Sequence, residues 1–218
     1  MISFNKNDYH NERIGEKYSV FSNDNYSEIF FSGAINNESM CDLVKELKKI
    51  ESHLLKLFDE SMKKINETID AMDQKYFDIG LKPNIHLKPI RLIINSTGGY
   101  VYDALFAVDV IKSLKVDVHT VVSGYCASAG TLLSLAGKHR FITKNSNMLI
   151  HEIRAGFWGK KTSVNDEYEN LNKLSKQLID YYKANTKLDE DKLNEILKRD
   201  CNWSPQECLD AGLVDEII

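Results

Sequence analysis

The stretch RLIINSTGGYVYDALFAVDVIKSLKVDVHTVV, from Arg91 to Val122, decides the fold. Its first five residues, RLIIN, are rich in β-branched and apolar side chains and stop at Ser96, Thr97, Gly98 and Gly99, so a strand feeds a glycine turn. Val101, Ala104, Leu105, Val108, Ile111 and Leu114 then recur at three- and four-residue intervals, the spacing of a helix with one buried face. Val116 to Val122 returns to alternating β-branched residues. Strand, helix and strand in succession make a parallel βαβ unit, and the fold class follows as α/β.

Downstream, Thr120 to Gly137 carries no formal charge and approaches the length of a membrane span. Its small and polar residues, Ser123, Gly124, Ser128, Gly130, Thr131, Ser134 and Gly137, fit an internal strand and helix better than lipid. That helix is expected to begin near Ser128 and to stop at Gly137. Strands are expected at Arg140 to Thr143 and Met148 to Ile153. Ser163 and Asp166 open a further helix with the apolar face Val164, Tyr168, Leu171, Leu174, Leu178 and Tyr181. Asp189 caps a short helix, Ser204 and Pro205 open another that ends at Gly212, and Val214 to Ile218 suits a last strand.

Upstream, Ser27 to Gly33 reads as a strand, and Asn36 to Lys75 contains neither glycine nor proline. Val44, Leu47, Ile50, Leu54, Leu57, Met62, Ile65, Ile69 and Met72 mark that segment as one long amphipathic helix, or two. Residues 1–27 are polar and weakly periodic, so they are read as a loose arm, leaving 28–218 as the domain.

At 218 residues, 43% hydrophobic and 28% charged, the chain can bury one substantial core. A net charge of −4 supplies no basic surface for phosphates, which argues against nucleic acid as a partner. The polar first twenty residues leave no room for a secretory leader, so a cytoplasmic location is expected, with no membrane partner. Cys41, Cys126, Cys201 and Cys208 form no CxxC pair and have no zinc-like histidine spacing; reduced thiols and no metal are expected.

Four features could carry chemistry, and each has a plainer reading. Ser128, between Ala127, Ala129 and Gly130 at a helix start, sits where backbone donors and the helix dipole face an anion, or it is an ordinary N-cap. Gly98 and Gly99 permit an amide to approach a ligand, or simply make a turn. His151, in an apolar stretch, is a base or a hydrogen-bonded core residue. Asp200 is a catalytic carboxylate or a cap. The order Ser, His, Asp differs from that of chymotrypsin-like, subtilisin-like and α/β-hydrolase enzymes, and Cys126 stands where the first glycine of a GxSxG elbow belongs.

Taken together, these segments resemble the Clp protease proteolytic subunit (caseinolytic protease P, ClpP) over roughly Glu28 to Ile218, apart from one insertion. INSTGGYVYDA at 94–104 is similar to the family's INSPGG segment, and GYCASAG at 124–130 to its nucleophile motif GxxASxG. NSNMLIHEIRAG at 145–156 resembles the histidine segment, and DCNWSPQECLDAGLVDEI the aspartate segment with its closing GLVD. The separations 128 − 99 = 29 and 200 − 151 = 49 agree with the family, while 151 − 128 = 23 is slightly short, in the AGKHR loop.

The resemblance implies a ClpP/crotonase-like fold of stacked βαβ units with an outlying handle helix, here Ser163 to Thr186. It implies Ser128 as nucleophile, His151 as general base and then acid, and Asp200 as the group orienting the imidazole. The amides of Gly99 and Ala129 match the oxyanion hole. Gly98, Tyr100, Ile153, Arg154, Ala155 and Gly156 match the substrate-binding segments, where an extended peptide would add as a strand. It further implies a serine endopeptidase acting on unfolded polypeptides and peptides, without a cofactor of its own. Homo-oligomeric rings, heptamer or tetradecamer, and an AAA+ unfoldase as the only user of ATP complete the expectation.

Three departures stand out. Gly33 to Asn95 spans more residues than the family's counterpart, with the excess as a helical insertion at about 51–89. From its apolar spacing, the inserted helix is expected to cover or rebuild the outer surface of the ring and change the partner. The N-terminal arm lacks a clear counterpart of the family's axial-loop segment, and Thr97 and Arg154 replace the usual residues. Two other readings stay open: a crotonase-like acyl-CoA enzyme, which also uses paired amides, and an inactive ring subunit.

Overall fold

The computed structural model describes residues 13–14, 18–22, 27–70 and 87–218. The expected parallel unit is its centre. Strand β4 (Ile90–Ser96) leads through the glycine turn into helix α2 (Val101–Ser113) and returns as β5 (Val118–Ala127), parallel to β4 with Ile90 opposite Val118 and Ile94 opposite Val122. On one side of β4 lies β3 (Ser27–Ser32), also parallel. On the other side of β5 lie β6 (His139–Ile142) and then β8 (Glu216–Ile217), again parallel. A short strand β7 (Asn147–Leu149) pairs with the far end of β5. Parallel strands need covered faces, and the central ones are buried: Ile29, Ile90, Leu92, Ile94 and Val122 have no exposed surface.

The edge beyond β3 differs from the expectation of a loose arm. β1 (Arg13–Ile14) and β2 (Tyr18–Ser22) extend the sheet, with β2 antiparallel to β3 and Tyr18 opposite Phe31. The segment YSVFS alternates β-formers with serines, a short signal lost among the surrounding polar residues. The rest of the expected arm lies outside the described residues.

The long amphipathic segment is a single helix, α1 (Asn37–Asp70). Its start is fixed by an exchange in which Asn36 Oδ1 accepts from the Ser39 amide at 2.9 Å and Ser39 Oγ accepts from the Asn36 amide at 3.0 Å. Met40, Leu43 and Leu47 are fully buried, whereas Leu57 is 46% exposed, so only the first half of α1 is a core helix. The remainder of the expected 51–89 insertion, 71–86, lies outside the described residues.

Helix α3 (Ala129–Ser134) follows β5 directly and is buried along its whole length, with a turn carrying the chain on to Gly137. The uncharged run Thr120 to Gly137 is therefore an internal strand and helix, and among the described residues no helix is long and apolar enough to cross a membrane. Helix α4 (Lys161–Asn185) is the outlying helix; it is largely exposed, and only Leu174 and Tyr182 are buried. It starts two residues before Ser163, and its N-cap Lys160 makes no side-chain capping bond. Asp189 caps α5 (Glu190–Ile196) by accepting from the Lys192 amide, and Ser204 with Glu207 forms a reciprocal capping box on α6 (Pro205–Asp210), as the sequence signals require. The four thiols are free.

Candidate active site

The site grows from the end of β5. Ser128 has φ 53° and ψ −126°, the one non-glycine residue with positive φ among those described. That backbone turns the chain sharply from strand to helix at the end of β5. Two bonds hold it: the Ser128 amide donates to the Leu149 carbonyl at 2.8 Å, and its carbonyl accepts from the Thr131 amide at 2.9 Å. Its carbonyl also accepts from Thr131 Oγ1 at 2.7 Å, and Thr131 Oγ1 lies 2.5 Å from the buried Tyr182 hydroxyl of α4. Desolvation of that phenol pushes its pKa up, which keeps it a neutral bonding partner. The sequence marked Thr131 only as one of the polar residues of an internal segment and gave Tyr182 no role; their only signal was a hydroxyl in an apolar face.

The glycine turn after β4 packs against this elbow. A Cβ at Gly98 would lie 2.7 Å from the Ala127 carbonyl oxygen, 2.8 Å from Ser128 Cβ and 3.1 Å from the Ala129 nitrogen, so only glycine allows the approach. The turn is shaped by Ser96, whose hydroxyl accepts from the Gly98 amide at 3.1 Å and donates to the Gly33 carbonyl at 2.7 Å. The Gly98 carbonyl accepts from the Ile35 amide and the Ile35 carbonyl from the Tyr100 amide, which leaves the Gly99 amide outside that pairing. Ala129 is the first residue of α3, where no preceding turn offers an acceptor. Among the described residues, neither amide donates to a protein acceptor.

His151 does not lie in a strand, which corrects the expectation of Met148 to Ile153 as one. β7 stops at Leu149, because the Ser128 amide, which bonds the Leu149 carbonyl, is the last backbone group offered before the neighbouring chain turns from β5 into α3. Two clamps position the histidine segment instead. Met148 exchanges backbone bonds with Trp203 at 3.0 and 2.7 Å, and the Glu152 amide donates to the Leu197 carbonyl at 2.8 Å. These bracket Asp200, which ends up with Oδ1 3.2 Å from His151 Nδ1. Although close, the two are not aligned: Nδ1 is buried and makes no hydrogen bond of acceptable geometry. Asp200 Oδ2 accepts from Arg154 Nη2 at 2.5 Å.

Ser128, Ala129 and His151 line one cavity of about 30 Å³ with Val101, Leu132 and Tyr182. The imidazole side chain is 14% exposed and the Asp200 carboxylate 57%. Ile153 is half-buried, and Arg154, Ala155 and Gly156 are exposed and unpaired in any strand; Tyr100 is 71% exposed at the mouth of the glycine turn. Cys126, the nearest rival nucleophile, is fully buried, and desolvation drives its thiol pKa up, so it stays protonated. Among the described residues no cluster of three or more His, Cys, Asp or Glu could hold a metal ion.

A hydroxyl on a strained strand-to-helix turn, an imidazole sharing its cavity, a carboxylate beside that imidazole and two unpaired amides on a parallel α/β sheet define a class of fold and site that the ClpP/crotonase-like architecture describes. The family model for Clp protease matches residues 79–218, more than half of the chain, and the chain belongs to that family. A relative from Deinococcus radiodurans, named ATP-dependent Clp protease proteolytic subunit, is 35% identical over 131 residues, 59% of this chain. The match spans 64% of that relative's length.

Proposed function

We propose that the protein is a serine endopeptidase of the Clp type that hydrolyses peptide bonds in unfolded polypeptides. The observation that carries this reading is the packing of the Gly98 turn against the Ser128 elbow, with His151 on the same cavity wall. Ser128 Oγ attacks the scissile carbonyl, and His151 takes its proton and later gives it to the leaving amine. Asp200 orients the imidazole and stabilises its charged form without taking the proton itself. The Gly99 and Ala129 amides receive the oxyanion; since both donors are main chain, alanine at 129 leaves the hole intact, and removing one donor would cost about 3 kcal/mol of transition-state stabilisation.

Ile153 to Gly156 and the segment Gly98 to Tyr100 are the proposed edges for an extended peptide. Among the described residues Ile153–Gly156 has no strand partner, as an edge awaiting a substrate strand requires. No cofactor enters these steps. Homo-oligomeric rings, a cytoplasmic setting and an AAA+ unfoldase as ATP-using partner belong to the same proposal, supported by the family and by the name of the relative.

The test combines covalent labelling by a fluorophosphonate, hydrolysis of short unstructured peptides without ATP, and native mass. Labelling and hydrolysis are expected in the wild type and lost in Ser128→Ala, with a ring of about seven or fourteen subunits in both, the symmetric closure that such interfaces favour. Turnover of an acyl-CoA in place of peptide, or a stable monomer that labels at no serine, overturns the reading.

A further inference from the structure

The Asp200 carboxylate serves two partners. Its Oδ2 accepts a 2.5 Å bond from Arg154, while its Oδ1 stands 3.2 Å from His151 Nδ1 without completing a hydrogen bond. An unbonded Nδ1 inside the protein is costly, and a turn of the carboxylate toward it would satisfy it. Arg154 and Asp200 are 69% and 57% exposed, so their bond is of the hydrated, weak kind that a small rearrangement breaks. The orphaned imidazole nitrogen thus lies beside a carboxylate whose orientation an exposed arginine dictates.

We propose that Arg154 is a positioning residue that holds the Asp200 carboxylate in a resting orientation and weakens its support of His151; this rests on the peptidase reading above. Release of Arg154 lets the carboxylate align with Nδ1–H, which fixes the tautomer in which Nε2 accepts the Ser128 proton. The guanidinium also offsets the negative charge that would otherwise stabilise the imidazolium. Other groups in the neighbourhood are Glu152, whose residue lines the same cavity, and the Tyr125 phenol. That phenol bonds Asn202 Oδ1 at 3.1 Å, and its pKa is raised by burial and then by the Asp200 charge. Neither neutralises the carboxylate; Arg154 does.

The experiment measures kcat, KM and the pH profile of short-peptide hydrolysis in wild type, Arg154→Leu and Arg154→Lys, together with Asp200→Asn alone and combined with Arg154→Leu. Arg154→Leu is expected to raise kcat several-fold, whatever its effect on KM through the substrate edge. The acidic limb moves to higher pH, the direction expected when a positive charge beside the imidazole's carboxylate partner is removed. Arg154→Lys keeps the wild-type limb, and in the Asp200→Asn background Arg154→Leu shifts nothing. An acidic limb that stays fixed in Arg154→Leu, or a fall in kcat, overturns the proposal. NMR titration of the His151 imidazole reads the same displacement without turnover. If no variant hydrolyses peptide while that midpoint still moves, the peptidase reading falls and the positioning role stands; a midpoint that does not move sinks the positioning role whatever the activity.

Discussion

Ser128 holds a backbone conformation that costs a non-glycine residue about 1–3 kcal/mol, and the surrounding bonds to Leu149 and Thr131 keep it there. The strain is explicable by what it achieves: a sharp passage from β5 into α3 that puts Ser128 next to the first amide of the helix. Gly98 is its counterpart, since any side chain there would strike Ser128 itself. In the proposed mechanism the Asp200 carboxylate acts differently, through the imidazole. Replacing Asp200 with Asn leaves the shape but reverses the hydrogen-bonding sense at Nδ1. Peptidase kcat in Asp200→Asn is expected to fall about 10³- to 10⁴-fold with KM nearly unchanged, measured by steady-state hydrolysis. A fall of less than about tenfold would mean that the carboxylate seen beside His151 plays no part in the chemistry.

Helix α1 shows how one helix can do two jobs. Its first half inserts Met40, Leu43, Val44, Leu47 and Ile50 into the core, while Leu57 beyond them is half exposed. Truncation of a fully buried residue in the first half should therefore be expensive: Leu47→Ala is expected to lose about 2–5 kcal/mol of stability by chemical denaturation. An equal loss from Leu57→Ala would contradict the exposure gradient along the helix. The period of the apolar residues was legible from the sequence, but the point at which burial stops was not, because spacing is the same in a core helix and in an amphipathic extension. The end of β7 at Leu149 was illegible for a related reason. Apolar residues continue to Ile153, yet a strand exists only where a neighbour offers backbone groups, and β5 has already turned away.

Across the molecule, the Arg140–Asp215 ion pair ties the residue before β8 to the sheet and to α4. Asp215 accepts from Arg140 Nε at 3.0 Å, from Nη2 at 2.6 Å and from the Arg140 amide at 2.9 Å, while Arg140 Nη1 donates to the Asn185 carbonyl at 2.6 Å. Burial alone would raise the Asp215 carboxyl, but the Arg140 bonds prevail and hold it below the ordinary carboxylate range. A folded-state value below the unfolded one contributes stability above the unfolded value and loses it as pH falls through the folded one. Asp215→Asn is thus expected to be less stable than wild type near neutral pH, with the difference shrinking as pH falls below the ordinary carboxylate range in urea denaturation midpoints. A difference that grows on acidification would refute the pairing.

By itself the sequence determined the parallel βαβ centre, the glycine turn, the serine elbow and the order of hydroxyl, imidazole and carboxylate, because periodicity, turn chemistry and motif spacing are local properties of the chain. What only the tertiary structure decided are relations between distant segments: the closeness of Gly98 to Ser128, the Met148–Trp203 clamp that brings Asp200 to His151, the Tyr182 hydroxyl behind the elbow, and Arg154 competing for the carboxylate. Such contacts depend on how far each backbone turns and which partner is left unpaired, and neither is encoded in the spacing of residues along one segment.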